Sequence, residues 1–379
     1  MAEEEKLPSP LIEKAKLFAH DHIVTQAETW ELDRAMAVTT LRKAVAAGFG
    51  GLLVAKKFNG SGASFTDTAR VLETIAAGDL GFAFSLVVHN NLAASLSKDE
   101  AQRARYLDKM LSGEEIGAFC LTEPEVGTDA AAIKTRARRN GNGWILNGAK
   151  AWVTNAVAAD IFCVYAQTDD AGGAAGIASF LVPRGTPGLT IEPAYMLLGA
   201  HAMGTSGIVL KDVHVSDDVL FLPPGRGFKG AMAGIDLARV LLSAMCCGIL
   251  GRALDEALGY AAGREAFGQS ILAFQGLQWQ LAEVATDLEA ARLLTYRAAA
   301  LLDEGSSGTI AAAHAKKFST RAAMGGVAAC MQAMGAEGLR TKRPLSRHLA
   351  AAKVAEYLDG TTDVQNIVIA RSLVRGQSR

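Results

Sequence analysis

An acidic side chain near the end of the chain is the first candidate for acid–base chemistry. Asp359 follows the apolar stretch 350–358 and precedes Gly360, a residue that permits a sharp turn at a helix end. A carboxylate in this position is often only a helix cap. In a dry pocket, however, burial would raise its pKa, and the carboxylate could then remove a proton from carbon. Asp359 is therefore either a capping residue or a general base.

Two polar segments much earlier in the chain offer groups that could bind a ligand. Segment 120–129 (Cys-Leu-Thr-Glu-Pro-Glu-Val-Gly-Thr-Asp) contains Pro and Gly, which are typical of loops. The backbone N–H and C=O groups of a loop are not paired within a helix or a strand, so they are available to hydrogen-bond a ligand. It is either a binding loop or a solvated turn between domains. Segment 152–155 (Trp-Val-Thr-Asn) ends a strand. Trp152 there is more often core packing, whereas Thr154 is less easily explained by packing.

Three charged side chains suit the recognition of anionic or carbonyl groups. The Arg264 guanidinium could donate two coplanar hydrogen bonds to a pyrophosphate, although a single arginine at a helix end is usually a surface residue. Asp236 and Arg239 are spaced i, i+3 and share one helix face, as an ordinary surface ion pair would.

Composition limits the class of protein. The 379 residues suggest two or three folding units, and a net charge of −1 without a long basic run argues against a nucleic-acid partner. The longest apolar stretch, 240–250, is too short to span a bilayer, and the acidic start is not a secretory signal. Five cysteines without a Cys-x-x-Cys suggest free thiols and a cytoplasmic location. His20-x-His22 is the only close histidine pair, so we expect no metal.

The elements that must position these residues fall into three regions of different periodicity. Residues 1–115 have helical spacing, with breaks at 48–51 and 59–62. Residues 116–224 change to a period of two and predict a small antiparallel β domain, including a strand, an Asn147-Gly148 turn and a second strand.

Residues 225–379 predict a bundle of four to five helices. The predicted helices are 230–262, 272–302, 309–334, 347–358 and 363–374. Thr362 and Gln365 have the spacing of an N-terminal capping box for the last helix. The fold class is therefore α+β: helices, then a β domain, then a helical bundle.

These segments, in this order and spacing over nearly the whole chain, resemble the acyl-CoA dehydrogenase family of flavoproteins. The resemblance rests on 121–129, on 152–154, and on 357–365 (Tyr-Leu-Asp-Gly-Thr-Thr-Asp-Val-Gln). It implies FAD as cofactor, bound by Phe119, Leu121, Thr122, Gly127, Thr128, Trp152, Thr154, Arg264, Phe267, Gln275, Gln332, Gly335, Thr361 and Asp363. In the family, the Thr at 154 lies near flavin N5. A second subunit reaches the FAD through the segments around Arg264 and Gln332. The resemblance thus implies at least a dimer, and a tetramer by analogy.

The resemblance also implies a reaction. It identifies Asp359 as the base that takes the α-proton of an acyl-CoA thioester while the β-hydride goes to flavin N5, with electrons then passing to an electron-transfer flavoprotein. The substrate-side positions that match the family are Thr128, Asp236, Arg239, Gly360 and Arg371.

One position departs from the family at the centre of this chemistry. Most members carry Glu where this chain has Asp359, and Asp reaches less far by one methylene; a displacement of about 1 Å can cost on the order of a hundredfold in rate. A short, branched or cyclic acyl group, or a backbone closer to the substrate, would compensate. The other family location of the base is Ala238, which cannot serve. His201, Met203 and Asp363 also depart from the common residues.

Two alternatives stay open. One is a flavin oxidase resembling nitroalkane oxidase, which also uses Asp as base and reduces oxygen directly. The other is a non-catalytic flavin-binding or assembly partner, against which the retained carboxylate at Asp359 argues.

Overall fold

The computed structural model describes residues 9–377, and side chains as far as residue 374. Its first region is helical, as predicted. Short π and 3-10 turns connect the helices, which are α1 Pro10–Phe18, α2 Ala27–Leu32, α3 Val38–Ala46, α4 Phe65–Ala76, α5 Leu80–Leu96, α6 Glu100–Gln102 and α7 Asp108–Ser112.

Helix α5 starts earlier than the sequence pattern indicated. The helical spacing of the sequence predicts a helix over 91–111, but α5 already begins at Leu80, where Asp79 caps it by accepting a hydrogen bond from the Phe82 N–H at 2.8 Å. Nearly every face of α5 is buried, so its first half shows no amphipathic period. The predicted break at 48–51 is confirmed, since Gly48 adopts a left-handed conformation with φ 94°.

The middle region forms one eight-stranded sheet. The strands are β1 Gly117–Cys120, β2 Arg136–Asn140, β3 Gly143–Val153, β4 Ile161–Gln167, β5 Ile177–Pro183, β6 Leu189–Ile191, β7 Ser206–Ser216 and β8 Leu220–Leu222. Their order is β6-β7-β3-β2-β4-β5-β8, and β1 also pairs with β4. Most pairs are antiparallel, but β1 and β4 run parallel, as do β2 and β4 at their single paired position.

The prediction of a hairpin turn at Asn147-Gly148 is wrong. Strand β3 continues through these residues and shifts register against β7 between Leu146 and Gly148. A Cβ on Gly148, whose φ is 147°, would lie 2.6 Å from Thr135 Oγ1. Gly148 therefore permits a β-bulge within a long strand. An Asn-Gly pair indicates a turn and a bulge equally well, so the sequence pattern alone does not separate the two.

The last region contains five helices and a two-stranded hairpin. The helices are α8 Gly227–Gly263, α9 Gln275–Asp303, α10 Thr309–Met334, α11 Leu345–Ala355 and α12 Thr362–Gln377, and the hairpin joins β9 Glu265–Ala266 to β10 Gln269–Ser270. The predicted bounds of the fourth helix are wrong at its end: α11 stops at Ala355, and a turn separates it from α12. Helix α8 is long and apolar enough for a membrane span, but 72% of its apolar window is buried, as in a core helix.

Apolar clusters join the three regions. One cluster brings the segment after β1, including Leu121 and Val126, against α5 and the first turns of α8 at Phe228 and Ile235. This contact fixes the loop 121–129 relative to the bundle. All five cysteines (Cys120, Cys163, Cys246, Cys247 and Cys330) are buried and form no disulfide.

Candidate active site

Asp359 lies in the turn between α11 and α12. Its backbone is left-handed with φ 53°, and Gly360 follows with φ 92°. A non-glycine residue in this conformation costs roughly 1–2 kcal/mol and persists only where its surroundings hold it. A Cβ on Gly360 would lie 3.2 Å from Arg239 Nη2, so the turn leaves almost no room for a side chain there.

Three buried side chains hold this turn through its carbonyl groups. Arg239 Nε donates to the Asp359 carbonyl at 2.9 Å. Lys316 Nζ, from α10, donates to the carbonyls of Glu356 (3.3 Å) and Gly360. Gln365 Nε2 also donates to the Gly360 carbonyl, at 3.0 Å. The left-handed turn is therefore fixed by hydrogen bonds from α8, α10 and α12.

The Asp359 carboxyl group is left without a hydrogen-bond partner. Its Oδ2 is shielded from solvent and accepts no hydrogen bond from the described residues. Burial raises the pKa of Asp359 to about 6, although the positive charges of Lys316 and Arg239 act in the opposite direction. The Asp359 amide N–H also donates to no acceptor within 9–377. A buried carboxylate with a raised pKa beside a free N–H can take a proton and stabilise an oxyanion.

Asp236 and Arg239 form a mostly buried pair rather than a surface pair. Arg239 Nη1 donates to Asp236 Oδ1 at 2.8 Å, and both side chains are largely shielded from solvent. Asp236 Oδ2 accepts a hydrogen bond from Thr309 Oγ1 at 2.7 Å. Arg239 thus links the Asp359 turn to the start of α10, and its role as a substrate contact stays a prediction.

The loop that follows β1 is anchored by a buried ion pair. Lys150 Nζ donates to Glu123 Oε1 at 2.8 Å and to the Leu121 carbonyl at 3.0 Å. The Glu123 carboxylate also accepts the backbone N–H groups of Lys134 and Thr135. Phe119 on β1 packs against Tyr165. The predicted cofactor residues Leu121 and Thr122 lie in the anchored part of the loop, while Gly127 and Thr128 lie in its exposed part.

The end of β3 combines an exposed ring with a mostly buried threonine. Trp152 has φ 59° and is 60% exposed, and its ring makes an edge contact with Tyr195. Thr154 is buried, and its hydroxyl makes no hydrogen bond with the described residues. Asn155 Nδ2 donates to the carbonyls of Ser85 and Gly117, which fixes the strand end against α5 and β1. Core packing does not explain Trp152, and Thr154 retains a free hydroxyl.

Five further predicted cofactor residues lie at the other end of the bundle and are exposed. These are Arg264, Phe267, Gln275, Gln332 and Gly335. Arg264 follows α8, which also carries Arg239, and 25 residues of helix span roughly 37 Å. Within one chain these residues therefore stand far from the Asp359 turn. Phe267 is 96% exposed, and its ring makes an edge contact with Phe274.

The first turn of α12 contains the last predicted residues. Thr361 Oγ1 accepts a hydrogen bond from the Val364 N–H at 3.4 Å, so Thr361 caps the helix. The predicted capping box on Thr362 is therefore displaced by one residue, and Gln365 donates to carbonyls instead of accepting from an N–H. Asp363 and Arg371 are exposed on α12.

Sequence analysis missed Lys316 and the Glu123–Lys150 pair, and it gave Gln365 only the role of a capping-box residue. A signal for Lys316 was present, because it falls in helical phase with the small residues Ala312, Ser319, Thr320 and Ala323, all of which are buried. A charged residue on such a face must be paired or functional. Nothing in the sequence paired Glu123 with Lys150, since the two meet only across the fold.

Comparison with known proteins identifies the family. Three family models match consecutive parts of the chain: the acyl-CoA dehydrogenase N-terminal domain (9–114), middle domain (118–213) and C-terminal domain (225–374). The chain belongs to the acyl-CoA dehydrogenase family. It is an oxidoreductase that acts on acyl-CoA with FAD as cofactor.

Individual relatives and solved structures match over almost the full length of the chain. The human mitochondrial short-chain specific acyl-CoA dehydrogenase is 34% identical over 368 residues, which cover 96% of this chain and 89% of the relative. The structure of butyryl-CoA dehydrogenase from Megasphaera elsdenii has a TM-score of 0.93 at 32% identity, covering 96% of this chain and 97% of that one. PigA with FAD and proline has a TM-score of 0.92 at 30% identity, covering 96% of both chains.

The residues of this acyl-CoA dehydrogenase fit a flavin. A large planar cofactor with a polar edge needs an open aromatic surface and free hydrogen-bonding groups. The exposed Trp152 ring supplies the first, and the Thr154 hydroxyl supplies a group without a partner in the described chain. A Cβ on Gly127 would meet nothing within 4 Å, so the loop is open on that side.

Proposed function

We propose that this enzyme dehydrogenates a short, branched or cyclic acyl-CoA thioester between its α and β carbons, with Asp359 as the base. One observation carries the proposal: the Asp359 carboxyl oxygen is buried without a partner, in a turn held by three side chains. A capping residue would instead hydrogen-bond a backbone N–H. The raised pKa of about 6 leaves the carboxylate ionised at neutral pH and still able to accept a proton.

The chain's residues would act as follows. The Cα–H bond breaks, its proton goes to the Asp359 carboxylate, and its electron pair forms the new double bond as the β-hydrogen leaves as hydride. Bound FAD supplies the hydride acceptor. The free amide N–H of Asp359 would donate to the thioester oxygen, where negative charge develops. Arg239 and Gln365 would keep the carboxylate and this N–H in a fixed relation.

The cofactor would be held by two sets of residues. The loop 119–128, Trp152 and Thr154 would hold the flavin, with Thr361 and Asp363 at the start of α12. Arg264, Phe267, Gln275, Gln332 and Gly335 would serve the FAD of a neighbouring subunit, because within one chain they lie far from Asp359. We therefore infer a homo-oligomer, at least a dimer, which sedimentation of the FAD-loaded protein would test.

We further infer that an electron-transfer flavoprotein accepts the electrons. The test compares reoxidation of the substrate-reduced enzyme by such a flavoprotein with reoxidation by air. Faster reoxidation by air would contradict the inference and favour the oxidase alternative.

Anaerobic bleaching of the flavin tests the reaction itself. Butyryl-CoA, branched and alicyclic acyl-CoAs, and nitroethane are mixed separately with the oxidised enzyme. We expect at least one acyl-CoA to bleach the flavin, and Asp359→Asn to keep FAD while slowing bleaching by roughly 10²–10⁴-fold. The matched control is Asp287→Asn, an exposed aspartate on α9 that should leave the rate unchanged. Bleaching by nitroethane alone would overturn the acyl-CoA assignment, and unchanged kinetics in Asp359→Asn would remove Asp359 from its role.

A further inference from the structure

Lys316 is a buried cation beneath the Asp359 turn. It lies on the inner face of α10 and is 1% exposed. A lysine loses its hydration when buried, so such positions are rare unless the ammonium group has partners. No carboxylate oxygen of the described residues lies within ion-pair distance of Nζ; its hydrogen-bond partners are two backbone carbonyls. The charge is therefore held in place without being neutralised by direct contact.

The two carbonyls that Lys316 binds stand on either side of Asp359 in the chain. Glu356 precedes it by three residues and Gly360 follows it. Because Asp359 is left-handed, the turn needs contacts on both sides to keep its shape. Arg239 holds the carbonyl of Asp359 itself. Lys316 is the one described side chain that bridges from the end of α11 to the start of α12 across the turn.

Four ionisable groups face the Lys316 ammonium group. Asp359 and Glu356 lie in the turn, whereas Cys246 and Arg239 project from α8. Burial, and to a smaller extent the neighbouring Arg239, lower the pKa of Lys316 to about 8, although Asp359 favours the charged form. Lys316 is thus still mostly protonated at neutral pH. In return, its charge opposes the rise in the pKa of Asp359 that burial causes.

We propose that Lys316 is a positioning residue of the dehydrogenation: it bridges the Asp359 turn, and its charge keeps the Asp359 carboxyl ionised at neutral pH. This proposal rests on the proposed role of Asp359 as base. A lysine with a merely structural role would affect folding and the rate at all pH values alike. The proposed role predicts a defect that grows as the pH falls.

The test compares Lys316→Met, Lys316→Gln and Lys316→Arg with Lys317→Met, which changes the neighbouring, half-buried lysine on α10. Removal of one nearby positive charge should raise the pKa of Asp359 by about one unit. In Lys316→Met we therefore expect the acidic limb of kcat/KM to move up by about one pH unit. Loss of the hydrogen bonds that Lys316 makes across the turn could lower the rate equally at all pH values. In addition to any such loss, the rate should fall by roughly a further tenfold below pH 6 and by less than about twofold at pH 8.5. Lys316→Arg should restore the limb, and Lys317→Met should leave it unchanged.

A second measurement does not depend on turnover. The infrared carbonyl band of the protonated Asp359 carboxyl, assigned by its loss in Asp359→Asn, should titrate about one unit higher in Lys316→Met. If Met at this position prevents folding, Lys316→Gln provides the same reading. An unshifted band and limb in a folded variant would overturn the proposal. If Asp359 is not the base, Asp359→Asn will still bleach normally while the infrared shift remains, which separates the two failures.

Discussion

Two carboxylates in this enzyme each lie near a buried lysine, yet the two sites differ in nearly every other respect. At the base of the loop 121–129, Glu123 contacts Lys150 at 2.8 Å and accepts two backbone N–H groups as well. Burial would raise the pKa of Glu123, but Lys150 and these N–H groups outweigh it and lower the pKa. In the Asp359 turn, Lys316 binds backbone carbonyls instead, and the pKa of the carboxyl rises to about 6.

The difference shows how contact decides the role of a buried acid. A carboxylate that accepts hydrogen bonds at both oxygens and contacts a cation has its pKa lowered and does not take up a proton at neutral pH, so Glu123 is a permanent anion that fastens a loop. A carboxylate with a free oxygen and a cation held nearby, without contact, stays ionised but remains basic. The same two residue types thus build an anchor in one region and a base in the other.

The largest expected effect comes from breaking the anchor. Glu123→Ala would leave the Lys150 ammonium group buried without an acid, and breaking one partner of a buried pair costs about 3–5 kcal/mol. We expect the free energy of unfolding in urea to fall by this amount. Glu123→Leu combined with Lys150→Met should recover most of it, because no uncompensated charge then remains.

The control for this experiment is Glu125→Ala. Glu125 pairs with Lys134 on the exposed side of the same loop, so its removal should change stability little. Equal losses from Glu123→Ala and Glu125→Ala would mean that the buried pair is not an anchor.

The dependence of stability on pH should have opposite signs at the two sites. The folded pKa of Glu123 is lowered, so its contribution is present above the unfolded pKa and is lost as the pH falls. The folded pKa of Asp359 is about 6, above the value of 3.8 for an unperturbed Asp. The folded state therefore binds the proton more tightly, and stability declines as the pH rises from about 4 to about 6.

Asp359→Asn should lack this decline. The free energy of unfolding of the variant, relative to that of the unchanged enzyme, should rise by on the order of 2 kcal/mol between pH 4 and pH 6 and should rise no further above pH 7. Thermal unfolding of both proteins across this range measures the difference. A constant difference at all pH values would contradict the raised pKa of Asp359.

The smallest of the expected effects concerns the shape of the turn. Gly360→Ala places a Cβ at φ 92° and 3.2 Å from Arg239 Nη2, which should cost about 1–2 kcal/mol of stability and slow flavin bleaching. Gly259→Ala is the matched control, since that glycine lies exposed on α8 with open space around it and alanine favours a helix. A Gly360→Ala variant as stable and active as Gly259→Ala would show that the turn is not constrained.

The family, the fold class and the limits of most long helices could be predicted from the sequence. Helix α10 begins and ends at the predicted residues, because its ends are marked by Gly308 and Gly335. Asp359 was identifiable because its flanking residues resemble a known motif. That the chain is a flavoprotein oxidoreductase is confirmed by the family match, whereas the roles of the individual site residues remain predictions.

What the sequence did not reveal are contacts between distant residues. The bulge at Gly148 and a hairpin turn look alike locally, and only the pairing of β3 with β2 and β7 separates them. The carbonyl groups that Lys316 binds lie 40 and 44 residues further along the chain. Neither backbone carbonyl has a sequence signature, so a lysine that recognises them looks like any other lysine until the chain is folded.

The burial of all five cysteines has a practical consequence. Burial raises the pKa of Cys163, Cys246 and Cys330 to about 12, so the thiols resist alkylating reagents while the fold is intact. Cys120 and Cys163 sit on neighbouring strands of the sheet, whereas Cys246 and Cys330 sit in the bundle. The rate at which each cysteine is alkylated, measured by mass spectrometry of its peptide, would therefore report when the sheet and the helical bundle each unfold. The native thiols serve as reporters, so no engineered label is needed.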